Sequence, residues 1–465
     1  MSALELQQNQ VRSYGRDARP TTIAELLQGS PFIGYGYAYP HKTAYRPLPE
    51  PRSLRELWAD EDQQALFLYV HVPFCEVRCG FCNLFTQRMP PEELPPRWLA
   101  TLEAQMQAVC EALPDARFAR WALGGGTPTL LAPDLLARLL DDLRQHFAVD
   151  LAAAPGSVET SPGTANDEIL AILEAAGTER ISIGIQSFSD RHLGAMGRPQ
   201  SSRLGEAALD RIRRHSFPVL NIDLIYGAAG QTPADFVADI DRALQWAPEQ
   251  LYLYPLYQRP LTGLGRHDRS WDDQRLACLR AGREHLQDRG YEQVSMRMFS
   301  LIGTGAHDEG GRPAAPAYCC QADGMIGLGV GARSYTRALH YSEEWAVGAA
   351  GVRDIVARWV EREPASLAQA WYGAPLDGEE QRRRWLIQSL LQREGLRRDD
   401  WRRRFATTVD DDFSRELGEL REHGLIADEG EVLRPTPTGL EWADAIAPWL
   451  YSETVRAASR DFELR

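Results

Sequence analysis

The chain has 465 residues, more than one hydrophobic core usually fills, so a large domain accompanied by a smaller one is expected. Its 44% hydrophobic and 25% charged residues exclude a disordered chain, and a net charge of −14 argues against a nucleic-acid groove. No apolar run reaches the roughly eighteen residues of a membrane span, and the N-terminus lacks an apolar signal segment, so a cytoplasmic protein with no membrane partner is expected.

Residues 1–60, rich in Pro, Tyr and Gly as in "PFIGYGYAYPHKTAYRPLPEP", read as an N-terminal arm or lid. From about Ala65 to Arg297 short β-rich runs alternate with amphipathic segments. The strands expected are "ALFLYVHV", "FARWALGG", "SVETSP", "RISIGIQSF", "VLNIDLIYG" and "QLYLYPLY", with "EQVSMRMF" as a candidate seventh. Helical patterns such as "RWLATLEAQMQAVCEAL" and "PDLLARLLDDLRQHF" lie between them. This alternation predicts parallel βαβ units, and six or seven of them suggest a partial α/β barrel of the (β/α)6 type over 61–340, with chemistry at the C-terminal ends of its strands. Residues 341–376 are expected to be a linker. In 377–465, two helices and the "HGLIADEGEVLRPTPTGLEWADAIAPWL" stretch predict a small winged-helix-like α+β domain. Its "ADEGE" wing is acidic, which favours a structural or substrate-covering role over DNA binding.

Each notable motif follows one of these strands. "HVPFCEVRCGFCNLFT" places Cys75, Cys79 and Cys82 directly behind the first. A structural zinc site asks for four ligands, and no second C-x2-C pair is present, while seven cysteines in a long chain do not describe a disulfide scaffold. Three thiolates suit a cubane iron-sulfur cluster that keeps one iron open, and the bland alternative is buried, unrelated cysteines. "LGGGTPT" follows the second strand, where glycines allow close approach to the backbone or simply make a turn. Glu159, Gln186 and Asp223 sit at the ends of the third, fourth and fifth strands, where a barrel interior requires polar groups to be paired or ligand-facing.

In these residues the chain resembles the radical S-adenosylmethionine (SAM) superfamily. The run "YVHVPFC", "GGGTPT", "VETSP", "ISIGIQSF" and "NIDLIYG" is similar to oxygen-independent coproporphyrinogen III oxidase and its relatives, over about Leu66 to Tyr335. The resemblance implies that Cys75, Cys79 and Cys82 bind three irons of a 4Fe-4S cluster, whose fourth iron chelates SAM. It implies that Tyr69, Gly125 and Glu159 hold this SAM, with Gly124 in the same glycine run. A second SAM, in members that carry one, lies near Phe81, Asn83, Gly126, Thr127, Gln186, Arg198, Asp223 and Tyr257. One electron from flavodoxin or ferredoxin would cleave SAM to a 5′-deoxyadenosyl radical, which takes hydrogen from a small-molecule substrate, a tetrapyrrole in the best-known case.

Three positions differ from the oxidase. Leu84 stands where it carries a further cysteine, Cys319 and Cys320 stand where threonines are usual, and "GYGYAYP" is only loosely similar to its N-terminal segment. Cys319 and Cys320 are candidate catalytic thiols that quench a radical or transfer hydrogen, or are small buried residues. Arg297 and Arg333 are candidates to pair with substrate carboxylates or with neighbouring acids. The leading expectation is oxidative decarboxylation of propionates in porphyrin synthesis. The alternative is a C-methyltransferase or cyclopropane-forming enzyme of secondary metabolism that consumes a second SAM. A haem carrier ranks last, because "AYCCQADGM" lacks the histidine of that branch.

Overall fold

A computed structural model describes residues 21–34, 36–147, 149, 151–257, 269–303 and 324–462. Chain order gives β1 (Arg46–Ser53), β2 (Leu66–Val72), the two-residue strands β3 (Phe74–Cys75) and β4 (Gln87–Arg88), then β5 (Phe118–Gly125), β6 (Gly156–Thr160), β7 (Arg180–Gln186), β8 (Val219–Tyr226) and β9 (Gln250–Pro255). There follow β10 (Tyr291–Gln293), β11 (Met298–Leu301), β12 (Met325–Leu328), β13 (Arg333–Tyr335), β14 (Leu339–Ser342) and β15 (Gln369–Pro375). The small C-terminal sheet holds β16 (Leu396–Arg397), β17 (Ile426–Glu429) and β18 (Val432–Pro435).

All strands but β3 and β4 and those of the small sheet join one large sheet, in the order β1-β15-β14-β13-β12-β2-β5-β6-β7-β8-β9-β11-β10. Its centre, from β12 through β2 and β5 to β9, is parallel. The sequence explains this: β2 is apolar almost throughout because a parallel strand is covered on both faces. Helix Leu94–Ala112 turns Trp98, Leu99, Leu102, Met106 and Val109 inward at helical spacing. Helix starts are fixed locally, as where the Asn166 side chain accepts from the Ile169 amide and Thr232 forms a capping box with Asp235. The six strands expected from sequence and the mixed α/β fold with a partial barrel are found.

Three expectations need correction. "EQVSMRMF" is the antiparallel hairpin β10–β11, because Ser295 Oγ accepts from the Arg297 and Met298 amides and turns the chain back. The seventh parallel strand is β12, on the opposite side, beside β2. Residues 341–376 are no linker: β15 pairs with β14 and β1, and helix Ala349–Trp359 buries Val352, Ile355, Val356 and Trp359 in the main core. The described part of the arm is not a free lid, since Ile23, Leu26, Tyr39 and Ala44 share a core with Leu386, Trp401 and Trp449 of the C-terminal domain. That domain orders helix Gly378–Leu390, β16, helices Arg398–Phe405 and Ser414–Glu422, and the β17–β18 hairpin, the arrangement of a winged helix. Among the described residues no helix is long and apolar enough to cross a membrane.

Candidate functional site

A cleft of about 750 Å³ opens where β2, β5, β6, β7 and β8 end. The cysteine loop forms its near wall, and backbone contacts set that loop in place. Gly126 N donates to Val72 O at 2.8 Å and Thr127 N to Phe74 O at 2.7 Å, so the glycine motif is zipped to the residues just before Cys75. A Cβ at Gly126 would strike the carbonyls of Phe74 and Val72, and one at Gly124 would lie 3.0 Å from the Glu159 carboxyl carbon. A Cβ at Gly125, which sits at φ +102°, would strike the His71 ring. The glycines are thus required by the protein's own packing, beyond a plain turn. Gly80, between Cys79 and Cys82, donates its amide to Gly197 O at 3.1 Å and anchors the loop from the far side.

Cys75, Cys79 and Cys82 are half-buried free thiols that line this cleft together. Burial, with the neighbouring thiols Cys82 and Cys79 adding to it, pushes Cys75 up to about 12, and burial raises Cys82 too. Arg198 Nη1 donates to Cys79 Sγ at 3.3 Å, and its other nitrogen donates to the Gly184 carbonyl. Gln186 is held at φ +73° where the β7–β8 register slips, which turns its buried side chain toward the cleft and leaves Oε1 without a partner. Glu159 is packed about by protein yet exposed along the open cleft, where it accepts from the Gly125 amide at 3.1 Å. Burial and the Asp223 charge raise it to about 7, and burial raises Asp223 to about 6 despite the nearby Arg180 and a hydrogen bond from Asn221.

The cleft therefore collects Cys75, Cys79, Phe81, Cys82, Gly125, Gly126, Thr127, Glu159, Gln186, Arg198 and Asp223. Asn83 and Gly124 adjoin it without lining it, and Tyr69 lines a neighbouring cavity. Tyr257 is engaged elsewhere: its hydroxyl donates to Asp444 of the C-terminal domain and accepts from Arg297. Arg297 also pairs with Asp444 at 2.6 Å in a buried contact, which accounts for it without a substrate carboxylate. Cys319 and Cys320 lie outside the described residues.

Sequence reasoning missed four residues near the site. His71 Nε2 lies 2.9 Å from the Phe85 carbonyl oxygen and so carries the proton, leaving Nδ1 to accept from the Tyr69 hydroxyl at 3.3 Å. Burial takes this ring down to about 4 and keeps it neutral. Arg180, at the base of β7, donates to Ser157 and Gln250 and supplies positive charge beneath both carboxylates. Glu76, in the cysteine loop, accepts from Gln200 at 3.3 Å. Lys42 is the only lysine among the 51 Lys and Arg residues, a signal already present in the sequence.

One rim of the α/β barrel thus gathers three cysteines, a glycine turn and a glutamate. A profile of the Radical SAM superfamily matches residues 69–243, and one of the HemN C-terminal domain matches 376–442. By these matches the chain is similar to the radical SAM superfamily and to proteins like oxygen-independent coproporphyrinogen III oxidase. It is 34% identical to a protein named heme chaperone HemW from Mycobacterium tuberculosis over 237 residues, 50% of this chain and 59% of that one. It is 31% identical over 248 residues to an oxygen-independent coproporphyrinogen III oxidase of Bradyrhizobium diazoefficiens, 50% of this chain and 53% of the relative. The chain thus spans between half and three fifths of these curated relatives. The solved coproporphyrinogen III oxidase (HemN) from Escherichia coli shares the fold, with a TM-score of 0.71 and 22% identity over 88% of this chain and 96% of that one. The superfamily's cofactors are a 4Fe-4S cluster and SAM.

Proposed function

We propose that the protein is a radical SAM oxidoreductase that removes hydrogen from a small organic substrate, as the oxygen-independent coproporphyrinogen III oxidases do in decarboxylating propionates. The observation that carries this reading is the single cleft lined by Cys75, Cys79, Cys82, Gly125 and Glu159. The donor set fits a cluster. The thiols act on one another electrostatically, and burial keeps Cys75 and Cys82 protonated until a metal replaces the proton. Among the described residues no three His, Cys, Asp or Glu side chains converge on one ion, and thiolates that each take a different iron need no such convergence.

When bound, the cluster and SAM supply one-electron cleavage of a carbon–sulfur bond. The chain's part is to hold and orient. Glu159 and the Gly125–Gly126 backbone would hold SAM in the cleft, with Gly124 adjoining and Tyr69 bordering it from the neighbouring cavity. Arg198 donates to Cys79 Sγ and so orients that side chain. Phe81, Thr127, Gln186 and Asp223 border the rest of the cleft, with Asn83 adjoining it, and would contact a second SAM if one is bound. Flavodoxin or ferredoxin is the proposed electron donor. A second reading, a C-methyltransferase or cyclopropane-forming enzyme, is favoured by Leu84, 49% exposed at the cleft where the oxidase has a thiol.

Coproporphyrinogen III, given anaerobically to the reconstituted protein with reductant and SAM, separates these readings. Release of carbon dioxide supports the oxidase, and SAM cleavage without it supports the alternative. Stoichiometric haem binding with no SAM cleavage would overturn both in favour of a carrier.

A further inference from the structure

The cysteine loop has an outer side, and β4 forms it. β3 and β4 pair in parallel with Arg88 opposite Cys75, and the Met89 amide donates to the Cys75 carbonyl at 2.9 Å. Met89 is 64% exposed and sits at φ +44°, a left-handed conformation that a long side chain seldom adopts. A single hydrogen bond thus joins a strained surface residue to the backbone of a cysteine that lines the cleft. No role assigned above to a cofactor residue uses Arg88 or Met89.

The charge around Met89 runs against that of the chain, which is −14 overall. Arg88 is exposed beside it, and Arg353 is exposed on helix Ala349–Trp359, which lies against β4. Among the described residues neither guanidinium meets an acid or a hydrogen-bond acceptor. Arg78 ties the cysteine loop to the start of the same helix by donating to the Val347 carbonyl, so it too brings a charge that no described acid answers. The acids nearby are already engaged: Glu344 and Asp354 meet Arg358 at 2.7 and 3.2 Å, and Glu343 meets Arg362. Glu92 and Glu93 are exposed at the N-terminal end of helix Leu94–Ala112, where the helix dipole answers negative charge. Three cations without acid partners therefore surround an exposed methionine directly outside Cys75.

We propose that this face, formed by Arg78, Arg88, Met89 and Arg353, docks an acidic one-electron carrier protein, and that the electron enters along the Met89–Cys75 hydrogen bond. Complementary charge brings such a carrier to the patch, and Met89 supplies an apolar contact within it. In this step the carrier's reduced centre loses one electron and the cluster gains it, with no bond made or broken. Neither Arg88 nor Met89 lines the cleft, so a carrier docked here leaves it open to SAM. The proposal rests on the radical SAM reading and adds to it the place where the electron arrives.

The probe is a plant-type 2Fe-2S ferredoxin, an acidic carrier, titrated into the cofactor-free protein by isothermal titration calorimetry. Binding should be strong at about 0.01 M salt, where charges act over about 30 Å, and weaken at about 0.15 M, where they act over about 8 Å. Arg88→Glu and Arg353→Glu should each raise Kd about fivefold. The control is Arg397→Glu, which makes the same change of charge at an exposed arginine of β16 and should leave Kd within about twofold. Hydrogen exchange on the unaltered protein should show ferredoxin protecting 86–91 and 349–354, a readout that stands even where a variant fails to fold. Absence of binding at low salt, an equal loss in Arg397→Glu, or protection confined to other segments overturns the proposal. The titration needs neither cluster nor SAM, so its failure leaves dithionite-driven SAM cleavage standing, and absent SAM cleavage leaves the titration readable.

Discussion

Replacing Gly126 by alanine should damage both the fold and the cysteine loop. The added methyl group meets the Phe74 carbonyl head-on and lies 2.8 Å from Val72 O, both of them backbone atoms that cannot rotate away. Relief requires parting the strand ends, which breaks the Gly126–Val72 and Thr127–Phe74 hydrogen bonds of 2.8 and 2.7 Å. At about 1 kcal/mol each, with strain added, the loss is roughly 3 kcal/mol. For a chain of this size that unfolds in one step, this lowers Tm by about 3 °C. Cys75 follows Phe74 directly, so iron and sulfide uptake on anaerobic reconstitution should fall as well. Gly418→Ala is the control: this glycine lies in helix Ser414–Glu422 with nothing within 4 Å of an added Cβ, and alanine there should raise stability by about 1 kcal/mol. Differential scanning calorimetry with iron analysis reads both variants. Gly126→Ala with unchanged Tm and full iron content would refute the reasoning.

Asp444→Asn should loosen the junction of arm, barrel and C-terminal domain. Its carboxylate takes the buried Arg297, the Tyr257 hydroxyl and the Gly36 amide, so about 3 kcal/mol should be lost, with faster proteolysis within residues 21–45 as the local readout. Glu159→Gln should show a pH-dependent gain in the cofactor-free protein. An acid raised from 4.5 to about 7 contributes full stability below about 4.5 and loses it as pH rises through 7. Parent and variant should therefore denature alike in urea at pH 4.5. By pH 8 the variant should lead by about 1 kcal/mol, allowing for water in the open cleft. Equal stability at both pH values would contradict the burial ascribed to this carboxyl.

Much of this was legible in the sequence, for physical reasons. Parallel strands covered on both faces read as apolar runs, and residues at their ends fall on one rim whatever the loops do, so Glu159, Gln186 and Asp223 could be grouped from position alone. What escaped depended on contacts far apart in the chain. Arg297 meets Asp444 across 147 positions, and Tyr257 is drawn into the same contact, so neither could be assigned from its own neighbourhood. Residues 341–376 looked like a linker because β14 and β15 are antiparallel additions that break the βαβ rhythm. His71 was in view within the first motif, but only its contacts with Phe85 and Gly125 reveal that it braces the glycine turn. Arg180 opens an apolar strand, where a buried cation already asks for acids, and Glu159 and Asp223 are those acids.

The central claim is that Cys75, Cys79 and Cys82 hold a cluster that cleaves SAM. Its most direct test is anaerobic reconstitution followed by dithionite and SAM, with 5′-deoxyadenosine measured by chromatography. The reconstituted protein should release it, and Cys79→Ala should release none above the protein-free background. Equal release from Cys79→Ala and the unaltered protein would contradict the account.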